Sequence, residues 1–189
     1  SATVSNSKEI AEWLNATLVQ SDFRPVPLRR GIALDKEIKW EDGEKKGIGL
    51  SGVEGIAMDN LPEQCLVFVG TRRSAEAQAR NLGRIFGKKL NSEDMEKLKL
   101  YSDRIKQGAD EVTSVDSNLS KLITKGVAYH HAGLTNRHRQ IIEYAFRDKI
   151  LKALCATPTL AAGVNLPAKR VIIRDLSRWE SSFQSNQPL

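Results

Sequence analysis

Three apolar segments of the sequence each end in hydroxyl, basic or glycine residues that are suited to contact phosphate. We call the residues that follow each apolar segment its exit. The first exit carries a threonine and two arginines, the second a histidine and a glycine, and the third two threonines: Thr71, Arg72, Arg73, His131, Gly133, Thr157 and Thr159. Arginine presents a planar set of N–H donors that matches phosphate oxygens. The pattern predicts binding of a ligand that contains phosphate.

The third exit is the most informative of the three, with the sequence CATPTLAAGVNLPA at residues 155–168. Pro158 lacks a backbone N–H and has a fixed φ, so it favours the first turn of a helix. Thr157 then occupies the N-cap, where the free N–H groups of the next turn can bind an anion. Gly163 ends the helix and Asn165 turns the chain away. A helix with ordinary caps and no ligand is the alternative that this local chemistry leaves open.

Two other patterns favour a structural explanation. The string GRIFGKK at residues 83–89 is similar to a phosphate-binding loop, but its glycines are one residue too close and Lys89 replaces the hydroxyl residue. It is predicted to be the end of a helix. His130 and His131 are adjacent on a predicted strand, so their side chains point to opposite faces. We predict no catalytic residue and no metal site in this chain.

The elements that must position these residues alternate between strands and helices from residue 64 onward. Apolar runs predict strands at 65–69, 126–130, 150–154 and 170–174, and amphipathic patterns predict helices from Ser74 to Gly87 and over 92–107, 118–125 and 136–148. This alternation indicates an α/β fold with a parallel sheet flanked by helices. In such sheets, ligands bind at the carboxyl ends of the strands.

The front of the chain has a different pattern. Asn6 and Glu9 have capping-box spacing ahead of a short predicted helix, and residues 16–20 predict a strand. Residues 28–40 predict a strand that leads into a small antiparallel hairpin with its turn at Asp42-Gly43. The glycine-rich residues 47–62 predict no element.

Composition places the chain among globular proteins. It has 189 residues, 40% of them hydrophobic and 28% charged, with a formal net charge of +6 that permits a nucleic-acid partner. No apolar run approaches the roughly 18 residues of a membrane span, and the N-terminus lacks a signal-peptide pattern. Cys65 and Cys155 lie in apolar runs, which predicts buried free thiols in a reducing compartment.

The order of these strings resembles that of motifs in the Ski-like superfamily 2 helicases, most closely the archaeal Hjm-type DNA repair helicases. SAT at residues 1–3 resembles motif III, FVGTRRSAE at 68–76 motif IV, YHHAGL at 129–134 motif IVa, and residues 155–168 motif V. The resemblance implies a RecA-like fold for residues 15–189, the second motor domain. Residues 1–14 would be the end of the first motor domain and its linker.

The resemblance also implies a function and roles for individual residues. The full-length enzyme would be an ATP-dependent DNA helicase that uses Mg²⁺, moves on single-stranded DNA and unwinds forked, repair or replication intermediates. The seven residues of the three exits would contact the DNA backbone. Gly163 and Asn165 would line the ATP cleft, with Asn165 near the ribose. The expected setting is the archaeal cytoplasm at the nucleoid, away from membranes.

The same resemblance predicts what this chain does not do alone. A phosphate-binding loop and an acidic Mg²⁺ motif are absent from the sequence, and so is motif VI, which supplies an arginine finger. We therefore expect a truncated domain without ATPase activity and without bound cofactor. Its expected partners are DNA, the first RecA-like domain in cis, and replication or repair proteins. Residues after Ser177 are expected to lack a partner strand within the chain.

Two alternatives stay open at this stage. One is a Ski-like RNA helicase domain, since no single residue decides between DNA and RNA. The other is a non-catalytic α/β module that docks a partner protein.

Overall fold

A computed structural model describes residues 6–21, 23, 26–107, 111–160, 166–175, 177–180 and 185–188, with side-chain surroundings up to residue 175. The chain forms two compact units, residues 1–30 and 31–189. The functional division into residues 1–14 and 15–189 stays a prediction, and the motif III string at residues 1–3 lies outside the described residues. None of the described helices is both long and apolar enough to cross a membrane.

In its described residues the first unit contains one helix, α1 (Ser7–Trp13), and none of the helix residues is buried. The predicted helix is confirmed, but the predicted capping box is wrong. The Asn6 side chain makes no cap to the backbone and instead donates from Nδ2 to Glu9 Oε2 at 3.4 Å. The strand predicted at residues 16–20 is also wrong, because these exposed residues do not join a sheet.

The second unit begins with a small antiparallel sheet of β1 (Gly31–Leu34), β2 (Glu37–Trp40) and β3 (Lys45–Gly47), in that order. The predicted hairpin turn is confirmed: Gly43 has φ +86° and its N–H donates to the Trp40 carbonyl at 3.0 Å. The single strand predicted over residues 28–40 is wrong, because Asp35 adopts φ +54° and makes a second hairpin turn.

Helix α2 (Gly52–Asp59) lies in the glycine-rich stretch for which no element was predicted. Its buried Val53 and Ala57 face the core. At Gly55 a Cβ atom would stand 1.7 Å from the Leu50 carbonyl oxygen. Glycine therefore permits a close approach here that any side chain would prevent.

The centre of the unit is a parallel four-stranded sheet of β4 (Cys65–Phe68), β5 (Val127–His130), β6 (Ala153–Ala156) and β7 (Arg170–Ile173), in the order β5-β6-β4-β7. All three pairings are parallel. The predicted α/β class with a parallel sheet is confirmed. The free thiols of Cys65 and Cys155 are buried in this sheet, also as predicted.

Four helices connect and cover these strands: α3 (Arg72–Phe86), α4 (Ser92–Lys106), α5 (Ser114–Ile123) and α6 (Asn136–Arg147). Ser74 is not the cap of α3 as predicted; Thr71 is, because its Oγ1 accepts the Ser74 N–H at 3.1 Å. Helix α5 starts before the predicted residue 118, because Thr113 and Asp116 form a capping box there. Gly87 ends α3, which confirms the structural explanation of that string.

A buried glutamine joins the start of β4 to the α6–β6 connection. Gln64 Nε2 donates to the carbonyl oxygens of Phe146 and Leu151, both at 2.7 Å. The Phe146 ring and the Leu151 side chain are fully buried. This amide thus supplies the donor for the Leu151 carbonyl and a second donor for the Phe146 carbonyl, which also accepts the Lys149 N–H at 3.0 Å.

The chain ends in a β-hairpin. Strand β8 (Ser177–Glu180) pairs antiparallel with β9 (Ser185–Pro188). The expectation that residues after Ser177 lack a partner strand within the chain is therefore wrong. The polar residues SNQP of β9 show no alternation of apolar side chains, so no local pattern predicts this strand.

Candidate nucleic-acid interface

The three predicted exits meet at one edge of the parallel sheet. The register places His130 of β5 beside Ala156 of β6, and Ala156 beside Phe68 of β4. Beyond the last ladder positions, the Thr157 N–H donates to the His130 carbonyl at 3.2 Å and the Val69 N–H donates to that of Ala156 at 3.0 Å. The predicted common edge is confirmed, and it brings the exit residues of β5, β6 and β4 side by side.

The β4 exit presents its basic residues on the first turn of α3. Thr71, Arg72 and Arg73 are exposed. The Thr71 hydroxyl caps the helix and also donates to Ser74 Oγ at 2.9 Å. Thr71 therefore has a structural role that is sufficient to explain it, whereas the two arginines extend from the helix start with their N–H groups accessible to an anion.

The β4 and β5 exits touch through Arg72, His131 and Gly133. A Cβ atom on Gly133 would stand 3.2 Å from Arg72 Nη1 and 3.1 Å from His131 Nδ1. The Gly133 N–H donates to His131 Nδ1 at 3.2 Å. Because Gly133 has no side chain, there is room for the Arg72 guanidinium. The hydrogen bond to His131 orders the turn that carries Gly133.

His131 is held on three sides and is 5% exposed. Its ring stacks on Tyr129 with centroids 5.4 Å apart, and Nε2 lies 3.4 Å from Glu76 Oε1, which is longer than a good hydrogen bond. Burial lowers the pKa of His131, and the nearby Glu76 only partly opposes that effect. Since Nδ1 accepts from Gly133, the neutral ring carries its proton on Nε2.

His130 points to the other side of the sheet, as predicted for its position beside His131. Its Nε2 lies 3.1 Å from Glu143 Oε1 on α6. Burial lowers the pKa of His130, opposed by Glu143. Among the described residues, no group of three histidine, cysteine or acidic side chains is arranged to hold a metal ion.

The β6 exit pairs two hydroxyl groups. Thr157 Oγ1 and Thr159 Oγ1 are 2.9 Å apart, with Thr157 buried and Thr159 exposed. The predicted helix start at Pro158 is confirmed as a short 3₁₀ helix, Pro158–Leu160. Gly163 and Asn165, the predicted ATP-binding residues, lie outside the described residues.

The sequence prediction missed two residues that belong to the same edge. Arg174 and Asp175 follow β7, and Asp175 Oδ2 accepts the Gly70 N–H at 2.8 Å directly before Thr71. The other three exits were identified as polar residues that directly follow an apolar run. The same rule applies to the fourth predicted strand, so Arg174 and Asp175, which follow Val171-Ile172-Ile173, could have been identified from the sequence. With these residues, all four strands contribute to the edge.

Comparison with known proteins agrees with this arrangement. The family model described as "Helicase conserved C-terminal domain" matches residues 52–187. Similar proteins include three that are named ATP-dependent DNA helicase Hel308. That of Thermoplasma acidophilum is 44% identical over 181 residues, which is 96% of this chain and 25% of the relative.

The other two relatives give the same picture. The protein of Methanocella arvoryzae is 42% identical over 190 residues, 98% of this chain and 25% of the relative. That of Pyrococcus horikoshii is 37% identical over 191 residues, 100% of this chain and 26% of the relative. The chain thus spans about a quarter of the length of the curated relatives it matches.

The family match covers most of the second unit, including the parallel sheet and all four strand exits. The resemblance to the second RecA-like domain of superfamily 2 helicases is confirmed, and the chain belongs to the family of helicase conserved C-terminal domains.

Proposed function

We propose that this chain is the second motor domain of an ATP-dependent DNA helicase that moves on single-stranded DNA and unwinds forked, repair or replication intermediates. The observation that carries the proposal is the contact between Arg72 and Gly133, which joins two strand exits into one basic, open edge. The relatives named as ATP-dependent DNA helicases support the activity and favour DNA over RNA.

The proposed roles follow from what each exit presents. Arg72 and Arg73 bind phosphate oxygens, because their exposed guanidinium groups are planar donors. Gly133 and His131 shape the surface over which the strand passes, and Thr159 offers an exposed hydroxyl beside Thr157. Phosphate and sugar contacts carry no sequence information, so the domain binds all sequences alike.

The nucleotide part of the proposal concerns Gly163 and Asn165. These residues line one side of a cleft for ATP and Mg²⁺ whose other side belongs to a first RecA-like domain in cis. Opening and closing of the cleft with each hydrolysis step moves the DNA strand. The proposed setting is the archaeal cytoplasm at the nucleoid, with replication or repair proteins as partners. The helicase family match speaks against a module whose only role is to dock another protein.

Fluorescence anisotropy with a labelled oligo-dT strand tests the interface on the complete protein. We expect Arg72→Ala to weaken binding and to lower the salt slope by about one unit, since one phosphate contact is lost. Arg84→Ala is the matched control, because Arg84 is exposed in the last turn of the same helix. Equal effects of the two substitutions would contradict the proposal. Competition by oligo-U that matches oligo-dT would identify an RNA enzyme instead.

A further inference from the structure

The residue that fixes the β4 exit is a carboxylate from β7. The ladder between β4 and β7 ends at Phe68 and Ile173, and the Arg174 N–H adds one bond to the Phe68 carbonyl at 3.0 Å. Past that point the described residues make no further backbone bond between the two strands. Asp175 Oδ2 then accepts the Gly70 N–H at 2.8 Å, so a side chain continues the link for one more step.

Asp175 is itself held by a fork of two bonds. Arg174 donates from Nε to Oδ1 and from Nη2 to Oδ2, each at 2.8 Å. Bidentate pairs of this kind fix both position and angle of the carboxylate. The pKa of Asp175 is lowered, first by the bond from Arg174, with further help from the Gly70 N–H. The carboxylate is therefore ionised at neutral pH and accepts the hydrogen bonds from Arg174 and from the Gly70 N–H.

Arg174 is braced in turn from two helices. Its Nη1 donates to Gln78 Oε1 at 3.3 Å on α3, and Gln78 Nε2 donates to Glu54 Oε1 at 2.9 Å on α2. Gln78 is 4% exposed. Four side chains thus form a continuous series of hydrogen bonds that ends at the Gly70 N–H: Glu54, Gln78, Arg174 and Asp175. Gly70 lies two positions before Arg72.

A purely structural pair at the same strand gives the comparison. At the amino end of β7, Arg170 Nη1 donates to Asp59 Oδ2 at 2.9 Å and to the Ile56 carbonyl at 3.0 Å. This pair joins the strand to α2 and touches no exit residue. The two arginine–aspartate pairs of β7 therefore share their chemistry but differ in what they hold.

We propose that Asp175 is a positioning residue that fixes residues 70–72 and thereby holds the Arg72 guanidinium over Gly133 for contact with the nucleic-acid backbone. The inference rests on the proposed DNA-binding function of that edge. Asp175 acts through the Gly70 N–H and does not itself touch DNA, since a carboxylate repels phosphate. Because Gln78 lies on α3 and Glu54 on α2, the position of Asp175 depends on how these two helices pack.

The test compares Asp175→Ala with Asp59→Ala in the complete protein, with Asp175→Asn as a milder second variant. Hydrogen exchange at the Gly70 amide is the first readout and needs no DNA. We expect faster exchange in both Asp175 variants and no change in Asp59→Ala. Oligo-dT affinity is the second readout. We expect a loss of up to about tenfold for Asp175→Ala, less than the roughly 10- to 100-fold that one charge-assisted bond is worth because Asp175 acts on Arg72 indirectly, and little loss for Asp59→Ala.

Combining Asp175→Ala with Arg72→Ala separates positioning from independent binding. If Asp175 acts through Arg72, the double variant binds no more weakly than Arg72→Ala alone. Additive losses, unchanged Gly70 exchange, or equal affinities in Asp175→Ala and Asp59→Ala would each overturn the inference. If Arg72→Ala weakens binding and Asp175→Ala does not, only the present inference fails. If the unsubstituted protein does not bind single strands, the proposed function fails, and the role of Asp175 toward DNA fails with it.

Discussion

Arg72 rests on Gly133: its Nη1 lies 3.2 Å from the point where a Cβ would stand on that glycine. The two residues come from different strand exits, and the glycine has no positive φ that would restrict its substitution. Space for the guanidinium and for the buried His131 ring, whose Nδ1 lies 3.1 Å from the same point, is therefore the feature that requires glycine here. A methyl group at this point would act on Arg72 without changing the backbone conformation.

Gly133→Ala should weaken single-strand binding and cost some stability, because the methyl also crowds the buried His131 ring. The new methyl would lie within 3.2 Å of both Arg72 Nη1 and His131 Nδ1, so the flexible guanidinium must move away. Anisotropy and thermal denaturation measure the two effects. Gly49→Ala is the control, because nothing lies within 4 Å of a Cβ there. Unchanged affinity in Gly133→Ala would show that the position of Arg72 is unimportant.

Thr71 substitutions should separate helix capping from DNA contact. Thr71→Ala removes the cap of α3 and should cost about 1 kcal/mol of stability, whereas Thr71→Ser keeps the hydroxyl and should cost little. Asn91→Ala, which removes the cap of α4, should cost a similar amount with no loss of DNA affinity. Urea denaturation and anisotropy provide the measurements. DNA affinity equal in Thr71→Ala and Asn91→Ala would assign Thr71 to capping alone.

Stability should fall as the pH is lowered below the ordinary histidine pKa of 6.5. Burial lowers the pKa of both His130 and His131, so the folded chain binds fewer protons than the unfolded chain between the folded pKa and 6.5. Unfolding then takes up protons, and acid favours it. The urea midpoint measured from about pH 8 down to about pH 5.5 should decrease, less so in His131→Gln. A midpoint independent of pH would contradict the burial argument.

Gln64→Leu should destabilise the fold strongly although it adds apolar volume. The Leu151 carbonyl would lose its donor, and burying one unpaired acceptor costs about 1 to 3 kcal/mol. The Phe146 carbonyl would lose one of its two donors, since it also accepts the Lys149 N–H at 3.0 Å. Gln140→Leu on the exposed face of α6 is the matched substitution and should be nearly neutral. Urea denaturation compares them. Similar midpoints would mean that the Leu151 carbonyl finds another partner.

Asn165→Ala should raise the ATP concentration needed for unwinding and leave DNA binding without nucleotide unchanged. The reason is that the proposal places Asn165 at the nucleotide and Arg72 at the DNA. Unwinding rates over an ATP titration, beside anisotropy without ATP, measure the division. Loss of nucleotide-free binding in Asn165→Ala would show that the assignment is wrong.

Much of the sheet could be predicted because β4, β5 and β6 are buried almost throughout. Continuous apolar runs such as 65–69 and 126–130 are typical of strands in a sheet that is covered on both faces, and their exits then share an edge. The order of the motifs in the sequence also predicted the family. The site residues at three exits followed directly, since they stand next to those runs in the sequence.

The remaining features depend on contacts that the local sequence pattern does not show. The turn at Asp35 carries no glycine, so only the pairing of β1 with β2 reveals it. Helix α2 is stabilised in a glycine-rich stretch by buried Val53 and Ala57 and by its close approach at Gly55. Asp175 acts on Gly70 across 105 residues, and no local pattern encodes that bond.

The two buried cysteines make this domain convenient for site-directed labelling. Burial raises the pKa of Cys65 to about 12 and raises that of Cys155 well above its ordinary value, so neither forms the reactive thiolate at neutral pH. Maleimide dyes should not react with either of these cysteines in the folded chain. A single cysteine introduced at exposed Arg84 would then carry a fluorophore alone, and motion of this domain against DNA could be followed without removing either native thiol.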